Sequence, residues 1–204
     1  GINYTATSFF QGTAMLNQIL IFLLETLLGV FSLALLLRFY MQLLRAPYRN
    51  PLAQFLIALT DFIVRPARRM IPSLRGMDLS TLLLAWLAQC ALLAGTLVLK
   101  GYDFSSGIGT AAGGLGLLAL VEIIKMTLYI ILVTVIVQAI LSWVSPRSPV
   151  APLLDSFTRP FLGIFRRRIP PIANVDLSPL FVLVLIQLLL MVVAGVQREI
   201  SALF

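Results

Sequence analysis

The sequence contains two aspartate–serine pairs at a fixed spacing, and these are the side chains best suited to form a polar site. Asp78 and Ser80 belong to an Asp-Leu-Ser stretch, and Asp176 and Ser178 belong to an identical stretch 98 residues further on. Paired carboxylates can act as general acid and base. The chain has no histidine and one cysteine, however, so a Ser-His-Asp triad, imidazole ligands to metal or haem, and multi-cysteine clusters are excluded.

Helix capping is the interpretation that we favour for these residues. Pro179 follows Ser178 directly, and a serine before a proline in the first turn is typical of the start of a helix. Each aspartate would then lie near a positively polarised helix end and near arginines, where it would anchor the turn. A catalytic carboxylate pair is the alternative, but it lacks a nucleophile or a metal partner. We therefore expect no catalytic residue, no metal, no cofactor and no enzymatic activity.

Glu25 and Glu122 occupy matching places in two long apolar stretches, and Lys125 lies about one helical turn after Glu122. A charged group at the bilayer centre costs several kcal/mol, so a carboxylate there suggests a proton or cation site. Both stretches are longer than one crossing needs, which would let the glutamates lie at the membrane surface. We favour this surface position, with Glu122 paired to Lys125, and keep an ion site as the alternative.

Gln89 and Gln187 also match at the spacing of 98 residues, and each lies near the middle of an apolar stretch. An amide group inside the bilayer needs a hydrogen-bonding partner. We predict that these two amides bond to each other or hold the two halves of the chain in register. A polar permeation site is the alternative.

The elements that must position these residues are membrane-spanning helices. The set AVILMFWYC makes up 60% of the chain, charged residues make up 11%, and the mean hydropathy is +1.02, which excludes a soluble or disordered protein. A crossing takes about 20 helical residues. Helices satisfy their own backbone in lipid, so the predicted fold class is an all-α integral membrane protein with four transmembrane helices. The four apolar stretches are residues 16–37, 79–99, 117–144 and 177–196.

The sequence predicts a short amphipathic helix between the first two crossings and another between the last two. Apolar residues recur there at i, i+3, i+4 and i+7, and in the first segment Gln54, Thr60 and Asp61 lie opposite them. These helices contain proline and are too short and too charged to cross, so they would lie at the membrane interface or pack as re-entrant elbows. Their basic ends would contact anionic lipid head groups. The residues expected to do so are Arg68, Arg69, Arg166, Arg167 and Arg168.

The distribution of charge predicts the orientation of the chain in the membrane. The sequence has 15 Lys and Arg against 8 Asp and Glu, and most of the arginines flank the two amphipathic segments. The positive-inside rule places both Arg-rich loops in the cytoplasm, and the termini and the Gly-rich connection on the other side. This topology accounts for the basic excess, and we expect no nucleic-acid partner.

An internal repeat organises the chain. Each half holds two crossings, so the repeats should be parallel and related by an axis along the membrane normal. We assign residues 15–100 to repeat 1, 101–116 to a Gly-rich periplasmic linker and 117–204 to repeat 2, with 1–14 as a non-native or disordered extension. The first-half residues that find an identical residue 98 positions later are Arg49, Pro51, Thr60, Arg68, Arg69, Ile71, Pro72, Asp78, Leu79, Ser80 and Leu82.

The doubled pattern of membrane helix, Pro-containing amphipathic stretch, Arg-Arg-x-Ile-Pro and Asp-Leu-Ser resembles the YggT family of small bacterial membrane proteins. The resemblance covers Met15 to about Arg198. It implies a two-repeat protein of the bacterial inner membrane without known catalytic activity, most similar to the proteobacterial branch. Family members have been linked to osmotic tolerance and ion uptake, to cell division, and to cytochrome maturation in plastids, and these associations differ from one another.

Two classes of function fit these features. We favour an assembly, scaffold or accessory subunit that binds a membrane protein complex, because catalytic residues are lacking and amphipathic surface is abundant. The expected partners are anionic membrane lipids and either another membrane protein or further copies of this chain. The alternative is a small oligomeric cation transporter or channel component involved in osmotic adaptation, since four crossings are few for an independent pore.

Overall fold

The structure is a computed structural model that describes residues 3–47, 50–71, 77–102, 108–145, 147–168 and 176–202. These residues form six helices, which are α1 (Asn3–Leu43), α2 (Pro51–Met70), α3 (Leu79–Leu99), α4 (Ile108–Val144), α5 (Ala151–Arg166) and α6 (Ser178–Ser201). The helical class and the presence of four apolar spans are as predicted. The stretches long and apolar enough to cross a membrane are Ala14–Leu43, Leu79–Leu99, Ala112–Val144 and Ser178–Ser201.

Both α1 and α4 begin earlier than the apolar stretches from which they were predicted. Residues 3–14, set apart above as an extension, form the first turns of α1. Residues 108–116, assigned above to the linker, form the first turns of α4, while 103–107 lie outside the described residues. Glycine lowers helix propensity in water by about 1 kcal/mol relative to alanine. Glycines are nevertheless common in membrane helices, because they let neighbouring helices approach closely.

The two amphipathic segments form α2 and α5. Asn50 caps α2, and its side-chain oxygen accepts a hydrogen bond from Ala53 N at 2.8 Å. Both helices have proline in their first turn, where no backbone donor is lost, and both end in a turn that contains arginine. Pro72 and the second Ile-Pro, at 169–170, lie outside the described residues.

Antiparallel helix pairs form the core of each half. Asn17 Nδ2 donates to Leu99 O at 3.2 Å, and Ser32 Oγ donates to Ala85 O at 3.2 Å, so α1 and α3 run in opposite directions. The helix α4 packs along α6, while α2 packs on α1 and α3, and α5 on α4 and α6. The largest fully buried apolar side chains are Leu35, Leu36, Met41, Leu162, Val64, Val135 and Val182.

The two halves meet mainly where α3 packs against α4. Trp86 Nε1 donates to Gly116 O at 3.0 Å, and a Cβ on residue 116 would lie 3.2 Å from the Trp86 ring. Glycine therefore suits this position, because a larger residue would push the indole away. The hydroxyls of Tyr40 in α1 and Thr127 in α4 add a hydrogen bond of 2.9 Å between the halves.

Candidate functional site

Asp78 organises a polar cluster where α1, α2 and α3 meet. It is the N-cap of α3, and its carboxylate accepts hydrogen bonds from the hydroxyls of Ser80 and Thr81. Arg68 Nε in α2 donates to Asp78 Oδ2 at 2.9 Å, and Arg68 Nη2 donates to Gln42 Oε1 in α1 at 3.1 Å. Only 2% of Asp78 is exposed. One buried carboxylate thus connects three helices.

The partners of Asp78 determine its protonation state. Burial acts most strongly and raises its pKa, but the hydrogen bonds from Arg68, Ser80 and Thr81 together outweigh burial and hold the pKa below the usual 3.8. The carboxylate is therefore ionised at neutral pH. A group in this state is suited to an ion pair and unsuited to donating a proton.

Asp176 forms a similar contact in the second half, but in a more open setting. Its Oδ1 accepts hydrogen bonds from the backbone and the hydroxyl of Ser178, and Arg166 Nε donates to its Oδ2 at 2.8 Å. The side chains of Arg166 and Asp176 are 46% and 43% exposed. Burial raises the pKa of Asp176, while the bonds from Ser178 and Arg166 lower it to a value below the usual 3.8.

The N-caps of α3 and α6 are not the serines that we predicted as caps, but lie two residues before Ser80 and one residue before Ser178. The N-cap of α3 is Asp78 and that of α6 is Leu177, whereas Ser80 and Ser178 lie inside the first turns. The serine hydroxyls donate to the neighbouring aspartates. An ionised carboxylate is a stronger acceptor than a hydroxyl, so it takes the free backbone N–H groups at the helix start.

An ion pair that the sequence analysis missed joins α1 to α2. Arg38 belongs to the first apolar span, and it is only 6% exposed. Its guanidinium donates to Thr60 Oγ1 at 2.8 Å and to Asp61 Oδ1 at 2.9 Å. Arg65, which is far more exposed, is the second partner of Asp61. Hydrogen bonding from Arg38 lowers the pKa of Asp61, and Arg65 contributes in the same direction.

The position of Thr60 corrects the predicted orientation of α2. We expected Thr60 on the polar side, away from the apolar residues, yet it is fully buried. Its hydroxyl donates to Leu56 O and accepts from Arg38, so this buried polar group is hydrogen-bonded inside the protein. An arginine at the end of an apolar stretch, followed by Thr-Asp in an amphipathic helix, is the signal that could have identified this contact.

Gln138 takes the corresponding role in the second half. The Thr158 hydroxyl donates to Gln138 Oε1, and Gln138 Nε2 lies 3.5 Å from Asp155 Oδ1. Thr158 matches Thr60 at the offset of 98 residues, but the neutral amide replaces the guanidinium of Arg38. The second contact therefore contains no buried cation.

The arginines expected to contact lipid fall into two groups. Arg68 and Arg166 are paired with aspartates. Arg69, Arg167 and Arg168 are exposed, and within the part of the chain that the structure describes they form no ion pair. The unpaired arginines leave the ends of α2 and α5 positively charged.

The two glutamines are not equivalent in the structure. Gln89 is 3% exposed, and its Nε2 points to Met126 Sδ in α4 at 3.5 Å. Gln187 lies on an exposed face of α6. A direct bond between the two amides is therefore not formed, because only Gln89 faces the other half of the chain.

The two glutamates also differ. Glu25 is exposed on α1. Glu122 accepts hydrogen bonds from Lys125 Nζ and Gln197 Nε2, both at 2.7 Å, and Lys125 also donates to Gln197 Oε1 at 3.1 Å. Glu122, Lys125 and Gln197 thus form a closed network between α4 and α6. The pairing with Lys125 was predicted from the sequence, whereas the contact with Gln197 was not.

An apolar groove of about 1020 Å³ runs between α1, α3 and α4. Trp86 of α3 and three small residues of α4 line it, namely Ala112, Gly113 and Gly116. A Cβ on residue 113 would meet nothing within 4 Å, so the groove is open at that point. These small residues were predicted to lie in a linker, and their helical conformation is what makes them one wall of the groove.

Comparison with known proteins gives a consistent identification. The chain matches the CCB3/YggT family over two segments, residues 17–105 and 117–197. It is 37% identical to protein PA0392 of Pseudomonas aeruginosa over 180 residues, which covers 87% of this chain and 89% of the relative. It is 34% identical to protein YggT of Escherichia coli K12 over 180 residues, or 88% and 91% of the two chains.

No solved structure matches the chain. The names of these relatives state no enzymatic activity. The family match covers most of the residues, including both Asp-Leu-Ser stretches and the buried Arg38, while Ala112, Gly113 and Gly116 of the groove lie between the two matched segments. From the extent of this match and the identities above, the chain belongs to the CCB3/YggT family.

Proposed function

We propose that this chain is an accessory or assembly subunit of the bacterial inner membrane, and that it binds a transmembrane helix of another membrane protein complex. The observation that carries the proposal is the groove between α1, α3 and α4. Its walls are apolar and it lies within the apolar spans, so its occupant should be an apolar helix or lipid. Of these two occupants we propose the helix.

Small residues make one wall of the groove suitable for close helix contact. Ala112 and Gly116 are four residues apart on α4, and Gly113 lies beside them. Small residues at this spacing allow two helix backbones to approach in the membrane, where packing and not water exclusion drives association. Lipid tails gain less from such a surface, since they are flexible and lose conformational entropy on ordering.

The test fills the groove without disturbing the fold. Gly113→Leu adds a side chain where a Cβ has no neighbour within 4 Å, and Gly195→Leu is a matched control on α6, where a Cβ also has open space. Each variant is purified at native expression level in a lipid-preserving detergent, and the co-purifying proteins are quantified by mass spectrometry. We expect a partner at fixed stoichiometry with the native chain and with Gly195→Leu, and its loss with Gly113→Leu.

Two outcomes would contradict the proposal. One is a partner retained equally by Gly113→Leu and the native chain. The other is a homogeneous assembly of this chain alone, which would favour the alternative function of a small oligomeric cation transporter or channel component.

The alternative depends on Glu122, the half-buried carboxylate of α4. Lys125 already neutralises this carboxylate and Gln197 bonds both groups, so a cation would have to displace a built-in ion pair. This arrangement favours a structural role. Cation flux into proteoliposomes decides the matter. The native chain should give no more flux than empty vesicles if it is not a transporter, and a native flux that is lost when Glu25→Gln and Glu122→Gln are combined would support transport.

A further inference from the structure

The two arginine–aspartate pairs differ in how completely their hydrogen bonds are used. Arg68 donates from Nε and Nη2 to Asp78 and from Nη2 to Gln42. Arg166 donates from Nε to Asp176, and no residue among those described accepts a hydrogen bond from its two Nη atoms. Among the described residues, the Nη donors of Arg166 are thus unused, although the Arg166–Asp176 pair otherwise resembles the Arg68–Asp78 pair.

Two sequence differences open the second site. Pro179 stands where the first half has Thr81, which removes a hydroxyl from the cluster. In the first half, Gln42 lies one turn after Arg38, which bonds Thr60. In the second half, Ser142 lies one turn after Gln138, which bonds Thr158. Gln42 reaches the first guanidinium, whereas the shorter Ser142 donates to Ala139 O in its own helix at 2.7 Å. The second guanidinium is left with empty space beside it.

This space is a cavity of about 530 Å³ between α4, α5 and α6, here called the Arg166 cavity. At the level where α4 ends and α6 begins, Ser142 and Arg166 line it. About two turns further into the spans the lining is apolar, with Val135 and Leu183. Trp143, which is 83% exposed, lies at the polar end, where aromatic residues commonly mark the membrane interface.

We propose that the Arg166 cavity binds an anionic phospholipid. The phosphate accepts hydrogen bonds from the Nη atoms of Arg166, and one acyl chain follows the apolar lining. A guanidinium matches the geometry of a phosphate with two parallel donors. Arg167 and Arg168 are exposed beside it, so the local charge stays positive although Asp176 partly neutralises Arg166.

The test compares lipids and matched arginines. Phosphatidylglycerol or phosphatidylcholine is titrated onto the protein in mild detergent, and bound lipid is counted by native mass spectrometry. We expect preferential binding of phosphatidylglycerol, about tenfold weaker in Arg166→Gln because charge-assisted hydrogen bonds are lost. Arg65→Gln, which removes an exposed arginine outside the cavity, should bind the lipid as the native chain does. Equal binding of both lipids, or an equal loss in both arginine variants, would overturn the proposal.

A second variant keeps the test valid if loss of Arg166 disturbs folding. Ser142→Gln installs the residue type that occupies the first site, so it should bond to Arg166, occupy the space beside the guanidinium and weaken phosphatidylglycerol binding about tenfold with the unfolding transition unchanged. Unaltered lipid binding in a folded Ser142→Gln protein would be evidence against the cavity as the binding site.

Competition distinguishes a lipid from a soluble phosphate ester. Inorganic phosphate and glycerol 1-phosphate carry the head-group charge without the acyl chain, and neither should displace the lipid at millimolar concentration. Displacement would show that the acyl chain adds nothing and would overturn the assignment to lipid. The groove variant Gly113→Leu should leave lipid binding unchanged, so this proposal and the proposed function fail or succeed separately.

Discussion

Asp78 and Asp176 belong to identical Asp-Leu-Ser stretches, yet their ion pairs with arginine differ in burial and strength. Both are followed by leucine and serine, and both accept a hydrogen bond from an arginine Nε. Asp78 is 2% exposed and has Thr81 as a further donor, whereas the side chain of Asp176 is 43% exposed. Water screens the second pair and weakens it, since exposed ion pairs contribute at most about 1 kcal/mol.

Replacing each aspartate by asparagine tests this difference. Asp78→Asn should lower the free energy of unfolding by about 2–3 kcal/mol, somewhat less than the loss of a fully buried partner because Arg68 is itself partly exposed. Asp176→Asn should lower it by at most about 1 kcal/mol. The measurement is unfolding of each variant in mild detergent by added SDS, followed by circular dichroism. Equal losses at the two positions would contradict the burial argument.

The lowered pKa of Asp78 also predicts a pH dependence. A carboxyl whose pKa is lower in the folded than in the unfolded chain stabilises the fold fully above its unfolded pKa, near 3.8, and this contribution is lost as the pH falls through the lower folded pKa. The stability difference between the native chain and Asp78→Asn should therefore be constant from pH 7 to about pH 5 and shrink below 3.8. A difference that shrinks already between pH 7 and 5 would mean that Asp78 is not held ionised.

At the scale of the helices, polar contacts determine how the amphipathic helices attach to the spans. The contact of α2 with α1 includes the buried cation Arg38, and that of α5 with α4 uses the neutral Gln138. A buried charge without its partner is costly, so Arg38 and Asp61 must stay together once α2 has docked. The attachment of α2 is thus more specific than that of α5.

Double-mutant cycles measure this attachment. Arg38 and Arg65 both bond Asp61, and their side chains are 7% and 79% exposed. With Arg38→Met, Arg65→Met and Asp61→Asn, the coupling energy of Arg38 with Asp61 should be about 1.5–3 kcal/mol, and that of Arg65 with Asp61 about 0.5 kcal/mol or less. Coupling that is larger for Arg65 would show that the exposed pair, and not the buried one, holds α2.

At the scale of the whole molecule, the two halves are joined through few polar contacts. Among the described residues these contacts are the bond of Trp86 to Gly116, the contact of Gln89 with Met126 and the bond between the hydroxyls of Tyr40 and Thr127. The groove opens along the same junction. A docked partner helix would therefore touch both halves and would stabilise their relative position by mass action.

The orientation of the whole chain is tested by fusion to alkaline phosphatase, which is active only in the periplasm. Arginine-rich segments are retained in the cytoplasm, so a fusion after Arg198 should be active and a fusion after Arg45 should be inactive. The reverse pattern would invert the predicted topology.

Much of the architecture follows from the sequence, because it depends on local and additive properties. Apolar stretches of sufficient length form helices in lipid whatever their neighbours are, and periodicity shows which short segments are amphipathic. The family resemblance followed from motifs that are contiguous in the chain. The Lys125–Glu122 pair was predictable for the same reason, since the two residues lie one helical turn apart.

Contacts between distant segments were decided by the tertiary structure alone. The bonds of Arg38 to Thr60, of Gln197 to Glu122 and of Trp86 to Gly116 join residues far apart in sequence, and residue type does not reveal which face of a helix meets its neighbour. Gln89 and Gln187 stand at the predicted spacing of 98 residues but differ in burial, because packing gives the two positions unlike surroundings. The sequence by itself determined the family, the helical class and the four spans, while the groove and the Arg166 cavity depend on how those helices pack.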